Sequence, residues 1–184
     1  MHVENDPEDE ELVRRFAHGD VDAFALLVGR YQGAAYRFFL RMTGRGPDAE
    51  DLAQETFVRV YESLSGLEDP RRFRSWFWAI ASNLVRDHHK YRQHRRHLSI
   101  EGDIDLDRDL MEPGSTPAAE LASRIQSALQ ELDDPRRLVL TLREYHGLSY
   151  EEIAETAGCS VGAVRWRLHS ARRQLRARLS DLIE

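Results

Sequence analysis

The chain has 184 residues, 41% hydrophobic and 32% charged, with a formal net charge of −6, the make-up of a globular protein of one or two domains with a heavily charged surface. Its longest uncharged run, Ser75–Val85, falls far short of the ~20 apolar residues that a membrane-spanning helix needs, so no membrane insertion is expected. A single cysteine, Cys159, excludes an internal disulfide and any multi-cysteine zinc site.

The charge is sorted into blocks: 7 basic against 15 acidic residues in 1–70, 8 against 1 in 71–97, 2 against 10 in 98–135, and 9 against 6 in 136–184. Two cationic segments, each following an acidic one, suggest two nucleic-acid contacts in a chain that bulk DNA repels, and hence weak DNA binding by the free protein. The acidic N-terminus, Glu4–Glu11, has neither the basic nor the apolar region of a secretory signal, so a cytoplasmic location is expected.

In chain order, Glu8–His18 reads as a short helix with Leu12, Val13 and Phe16 inward, closed by Gly19. Asp20 or Asp22 caps a second helix, in which Phe24, Leu26, Leu27, Tyr31, Ala35, Phe38, Phe39 and Met42 keep helical spacing up to Gly44, with a possible break near Gly33. Asp48 is expected to cap a third helix running to about Ser65. Ala53, Phe57, Val60 and Leu64 form its inward stripe, while Asp51, Gln54 and Glu55 share another face. An acidic face is commonly only solvated; the other reading is a protein-docking surface. Gly66 and Pro70 make Leu64–Arg72 a loop, and Arg71 and Arg72 open the first positive block.

Phe73 to about Arg96 reads as one long helix with Phe73, Trp76, Phe77, Ile80, Ala81, Leu84 and Val85 inward and a basic second half. Aromatics beside a cationic groove suit single-stranded nucleic acid, whose bases seek flat surfaces and whose backbone seeks positive charge. Trp78 is the aromatic the inward stripe leaves over; it is either such a platform or a boundary residue packed on a neighbouring helix. His88 and His89 are adjacent and point about 100° apart on a helix, so they do not converge on a metal. No metal site, cofactor or catalytic centre is expected. Leu98–Pro117, with Asp103, Asp105, Asp107 and Asp109, has too little apolar surface to order itself and reads as a flexible acidic linker.

Ala118–Leu132 resumes a helical pattern through Leu121, Ile125, Leu129 and Leu132, Asp134-Pro135 marks a turn, and Arg136–Tyr145 is helical. Then come a helix opened by a Ser149/Glu152 capping box, a turn at Gly158-Cys159-Ser160, and a helix capped by Ser160. Val161, Val164, Leu168, Ala171, Leu175 and Leu179 line the inner stripe of that last helix. Its outer positions carry Arg165, Trp166, Arg167, His169, Ser170, Arg172, Arg173, Arg176 and Arg178, with no acid between Ser160 and Arg178. Charge alone also fits a solvated basic face. The capped turn directly before it points instead to a helix-turn-helix that reads a DNA major groove. The expected fold is therefore all-α: a helical domain over 1–97, a flexible acidic linker over 98–117, and a helix-turn-helix domain over 118–184.

Asp48-Ala49-Glu50-Asp51-Leu52-Ala53-Gln54-Glu55-Thr56-Phe57, with Phe73-Arg74-Ser75-Trp76-Phe77 and Ile80-Ala81-Ser82-Asn83, resembles the second region of bacterial RNA polymerase sigma factors. Leu148-Ser149-Tyr150-Glu151-Glu152-Ile153-Ala154 with Ser160-Val161-Gly162-Ala163-Val164-Arg165 resembles their fourth. A short linker in place of the third region resembles the extracytoplasmic-function (ECF) group, and the likeness runs from about Asp20 to Leu182. It implies a promoter-specificity subunit without catalysis of its own. Its expected partners are core RNA polymerase, promoter DNA both as duplex and as melted non-template strand, and an anti-sigma factor.

Residue by residue, the resemblance implies that Asp51, Gln54 and Glu55 dock on the coiled coil of the polymerase's largest subunit. The loop with Arg71 and Arg72 and the helix with Asn83, Arg86 and Lys90 would hold the melted strand of the minus-ten element. Ser160, Arg165, Trp166, Arg167, His169, Ser170 and Arg173 would meet the minus-thirty-five element as duplex. Trp166 stands where the family commonly has a small residue such as serine. Separately from the resemblance, the charge of Asp103, Asp105, Asp107 and Asp109 suggests that the linker lies in the polymerase's nucleic-acid channel, imitating the charge of RNA. The competing readings are a stand-alone helix-turn-helix regulator, which leaves the Asp51/Gln54/Glu55 face and the long basic helix idle, and a nucleic-acid enzyme, for which no convergent carboxylate or histidine centre is present.

Overall fold

The structure, a computed structural model, describes residues 7–98, with side chains as far as Arg95, and 116–180. These residues form eight α-helices and two short 3-10 turns, with no strand among them. The expected linker lies for the most part outside the described residues.

Helix α1 (Asp9–Ala17) has Asp9, Glu10 and Glu11 in its first turn and Arg14 and Arg15 in its last, each set complementing the helix dipole. Leu12 and Val13 are its buried residues. The Asp20 carboxylate accepts from the backbone N–H groups of Asp22 and Ala23 and so caps α2 (Val21–Thr43), which ends at Gly44 in the left-handed region, φ +74. The helix does not break at Gly33. One glycine costs a helix about 1 kcal/mol, which is small against the burial of Tyr31, Ala35, Phe38 and Phe39 around it. Leu26, expected inward, is 46% exposed.

Helix α3 (Gly46–Ser63) begins two residues before the expected cap, with Pro47 in its first turn. Asp48 is therefore not the cap but a tie. Its carboxylate meets Arg45 at 3.5 Å, His88 at 3.4 Å and Arg92 at 3.1 Å, fastening the start of α3 to α4 (Phe73–Leu98). The buried residues of α3 are Ala49, Ala53, Thr56 and Val60, with Phe57 partly buried. The expected loop contains the two 3-10 turns, Leu64–Gly66 and Pro70–Arg72, the second capped by Asp69.

In α4 the buried apolar positions are Phe73, Phe77, Trp78, Ala81, Leu84 and Val85, with Ser75 and Ser82 buried among them, while Trp76 and Ile80 are only partly covered. Trp78 is 2% exposed. Its ring lies 5.2 Å from that of Phe38, 5.0 Å from Phe77 and 3.7 Å from His146 of the C-terminal half. It is thus a core residue and not a stacking platform, because α4 is covered on two sides. The first three helices supply one side; His146 and helix α7 (Tyr150–Ala157) supply the other.

Helix α5 (Pro117–Gln130) is capped by Thr116, and its Leu121 is exposed; α6 (Asp134–Glu144) is capped by Asp133 and so includes the Asp134-Pro135 pair expected as a turn. Ser149 and Glu152 form the expected capping box, at 3.1 and 2.7 Å, and Gly158 closes α7 at φ +62. Ser160 accepts from Ala163 N–H at 3.1 Å and opens α8 (Val161–Arg178).

The two halves pack against each other instead of standing apart. The last carbonyls of α2 lie at the end of its own hydrogen-bond ladder; the Gly44 N–H closes on Leu40 O at 2.9 Å, and the other half adds donors to this carbonyl and to the next two. Gln126 donates to Leu40 O at 2.8 Å, Gln130 to Arg41 O at 2.7 Å, and Arg137 to Met42 O at 2.6 Å. His89 Nδ1 meets Asp134 at 2.6 Å across the same seam, and one hydrophobic core runs through both halves.

Candidate nucleic-acid and polymerase interfaces

The first surface lies on α3. Steps of three and four put Asp51, Gln54, Glu55 and Val58 on one helical face, opposite the buried stripe, and all four are exposed. Glu55 is engaged with Arg59 at 2.8 Å. Val58 (52% exposed) and Tyr61 (48% exposed) extend the acidic face with apolar area. Sequence reasoning missed Val58, although its place seven residues after Asp51 was readable.

The second surface joins the 3-10 turn to α4. Ala79, Asn83, Arg86 and Lys90 follow one another at steps of four, three and four, so they run along one side of the helix; Asn83, Arg86 and Lys90 are exposed. Beside them is a cleft of about 360 Å³ lined by Leu67, Asp69, Arg72, Trp76, Glu155 and Thr156, among others. Trp76, expected in the core, lines this cleft and takes the place that Trp78 leaves. The arginines here are engaged. Arg71 donates to Asp69 at 2.9 and 3.0 Å, and this bond lowers the pKa of the Asp69 carboxyl. Arg72 donates to Glu155 at 2.5 Å and Arg86 to the Thr156 carbonyl at 2.8 Å.

The third surface is the outer side of α8. Val164, Leu168 and Ala171 are buried, so Arg165, Trp166, His169 and Arg173 face outward together, while Arg167 and Ser170 sit half-buried on the flank. Ser160 is exposed at the start of the helix. Trp166 is 61% exposed, and the Arg136 guanidinium lies 5.4 Å from its ring centre, a cation–π arrangement that holds the indole at the surface. Arg172 is bound to Glu144 at 2.5 and 3.0 Å, a hydrogen bond that raises its pKa, and Arg178 is bound to Glu131 at 2.5 Å. These two arginines staple α8 to neighbouring elements.

His88 and His89 turn to different carboxylates, Asp48 and Asp134, and no cluster of three metal-ligating side chains occurs among the described residues. No described helix is long and apolar enough to cross a membrane. His146 is buried against Trp78, and burial together with Arg41, Arg74 and Arg37 pushes its pKa down to about 3, so the ring is neutral.

Residues 27–96 match the Sigma-70 region 2 family, and residues 122–175 match Sigma-70, region 4. The chain is 34% identical to the RNA polymerase sigma-H factor of Pseudomonas aeruginosa over 186 aligned residues, covering 96% of each chain. It is 32% identical to the ECF RNA polymerase sigma factor SigW of Bacillus subtilis, over 92% of this chain and 96% of that one. The chain belongs to the ECF sigma factors. Among solved structures it is similar to CnrH, determined in complex with the cytosolic domain of CnrY, at 33% identity and TM-score 0.68 over 94% of this chain and 97% of that one. Its fold is also that of RpoE from Bartonella quintana, solved with the anti-sigma factor NepR, at 23% identity and TM-score 0.71 over 85% of this chain and 96% of that one. The match of both halves disfavours a stand-alone helix-turn-helix regulator, since this sigma factor directs RNA polymerase to promoters.

Proposed function

We propose that each of the three surfaces has one task in that function. The α3 face (Asp51, Gln54, Glu55 and Val58) docks on core polymerase. Arg71, Arg72, Asn83, Arg86 and Lys90 hold the melted non-template strand, with Trp76 as the flat wall of the cleft. Ser160, Arg165, Trp166, Arg167, His169, Ser170 and Arg173 meet the duplex upstream. The observation that carries this assignment is that the three surfaces lie on separate elements, α3, the Pro70–Arg72 turn with the middle of α4, and α8, each with side chains open to solvent. Gripping duplex at one place while holding unpaired bases at another lets strand contacts offset the few kcal/mol of unpairing and unstacking.

The bounds 1–97 and 118–184 then describe two working domains, and the acidic segment between them connects the two grips. The protein supplies positioning and no catalytic step, and it works in the cytoplasm, where polymerase and promoter are. An anti-sigma partner fits the same reading, by covering the surfaces that polymerase and DNA need.

The test is run-off transcription with purified core polymerase, with and without the chain, together with a core pull-down of Asp51→Lys/Glu55→Lys. Promoter-dependent transcript only when the chain is present, and loss of core binding by the folded double variant, are expected. Retained core affinity would reject the α3 assignment.

A further inference from the structure

Two of the arginines assigned to the melted strand already hold acceptors from the helix-turn-helix half. Arg72 donates to the Glu155 carboxylate at 2.5 Å and Arg86 to the Thr156 carbonyl at 2.8 Å. Thr156 is the second-last residue of α7, so its carbonyl has no partner within the helix and sits at the negative end of the dipole. Glu155 and Thr156 also form a wall of the cleft that Arg72 and Trp76 line. A carboxylate and a carbonyl oxygen, each presented to a guanidinium, offer the acceptor chemistry of a nucleic-acid backbone.

We infer that α7 is an internal stand-in for the single strand. With the halves closed, Glu155 and the Thr156 carbonyl occupy Arg72 and Arg86, and strand binding requires the withdrawal of α7. This rests on the single-strand assignment made above. Both members of the Arg72–Glu155 pair are more than half exposed, 55% and 64%, so the contact is weak enough to yield to a competing phosphate. The deeper seam, formed by the Arg137 and Trp78/His146 contacts, keeps the two halves aligned behind it.

The experiment is fluorescence anisotropy of a labelled, mixed-sequence single-stranded 12-nucleotide DNA with the full chain and no polymerase. Glu155→Ala tightens binding about two- to fivefold, the share of binding-competent molecules that release of an exposed pair returns. Glu151→Ala removes the same charge from an exposed position on the same helix and is expected to give less than half of that gain. In an Arg72→Ala background, Glu155→Ala gives no gain, because the occupied arginine is already absent. Circular dichroism confirms that each variant is folded. Equal gains from Glu151→Ala and Glu155→Ala, or a gain that survives Arg72→Ala, overturn the inference in favour of simple charge repulsion. If Arg72→Ala lowers affinity but Glu155→Ala does not raise it, the stand-in fails alone. If Arg72→Ala leaves affinity unchanged, the single-strand assignment fails with it.

Discussion

Arg137 is the residue whose removal tests the packing of the two halves most directly. Its side chain is only 8% exposed, and its guanidinium donates to four backbone carbonyls: Leu129 at 2.9 Å, Gln130 at 3.1 Å, Leu132 at 2.7 Å and Met42 at 2.6 Å. The Leu129 carbonyl keeps a second donor, the Leu132 N–H at 3.2 Å. Arg137→Ala therefore strands the other three. At about 1–1.5 kcal/mol for each stranded acceptor the loss comes to about 3–5 kcal/mol, a large part of the 5–15 kcal/mol that typically holds a domain. Arg137→Lys, a point charge on a flexible stem, recovers one or two bonds and is expected to lose about half as much. Urea unfolding followed by far-UV circular dichroism measures both. Because Met42 lies in the last turn of α2, in the other half, Arg137→Ala should also lower the cooperativity of the transition. A loss under about 1 kcal/mol, with an unchanged single transition, would refute the view that this arginine joins the halves.

The remaining predictions concern pH, the tryptophans and the outer side of α8. The His89 hydrogen bond lowers the pKa of the Asp134 carboxyl from its ordinary 3.8. A lowered folded-state value contributes stability that is complete above the unfolded pKa and disappears as the pH falls through the folded one; Asp134→Asn should therefore flatten the loss of stability below about pH 4 in unfolding curves taken from pH 6 to pH 2. Trp78→Ala should cost about 3–5 kcal/mol in the same unfolding assay. Trp76→Ala should cost much less stability but reduce promoter opening, read as permanganate reactivity of unpaired thymines. Arg165→Ala should weaken holoenzyme binding to an upstream duplex by about 1–3 kcal/mol if it reads a base edge. Arg173→Ala should reduce the salt dependence of that binding by about one counterion if it meets a phosphate, both by gel shift across a salt series.

Local features were legible because they are written within three or four residues. The Ser149/Glu152 box, the helix end at Gly44, the turn at Gly158 and the Ser160 cap all stand where the sequence placed them, since each is a contact between near neighbours on one turn of helix. The exposed positions of α3 and α8 were legible for the same reason: a helix with one inner stripe leaves the opposite face to solvent. The errors have a different origin. Asp48 looked like a cap and is a tie to His88 and Arg92; Leu26 kept helical spacing yet faces solvent. Neither outcome depends on local sequence, because both are set by which other helix lies alongside.

The order of side chains along the chain determined an all-α protein, the cap of its last helix and the outward faces of its segments, because helical periodicity and capping act over a single turn. Only the tertiary structure decided that Trp78 is core and Trp76 lines the cleft, and that Arg72 and Arg86 are held by α7. A long helix offers more than one side for burial, and which sides are covered depends on residues 70 and 83 positions away whose approach no local pattern encodes.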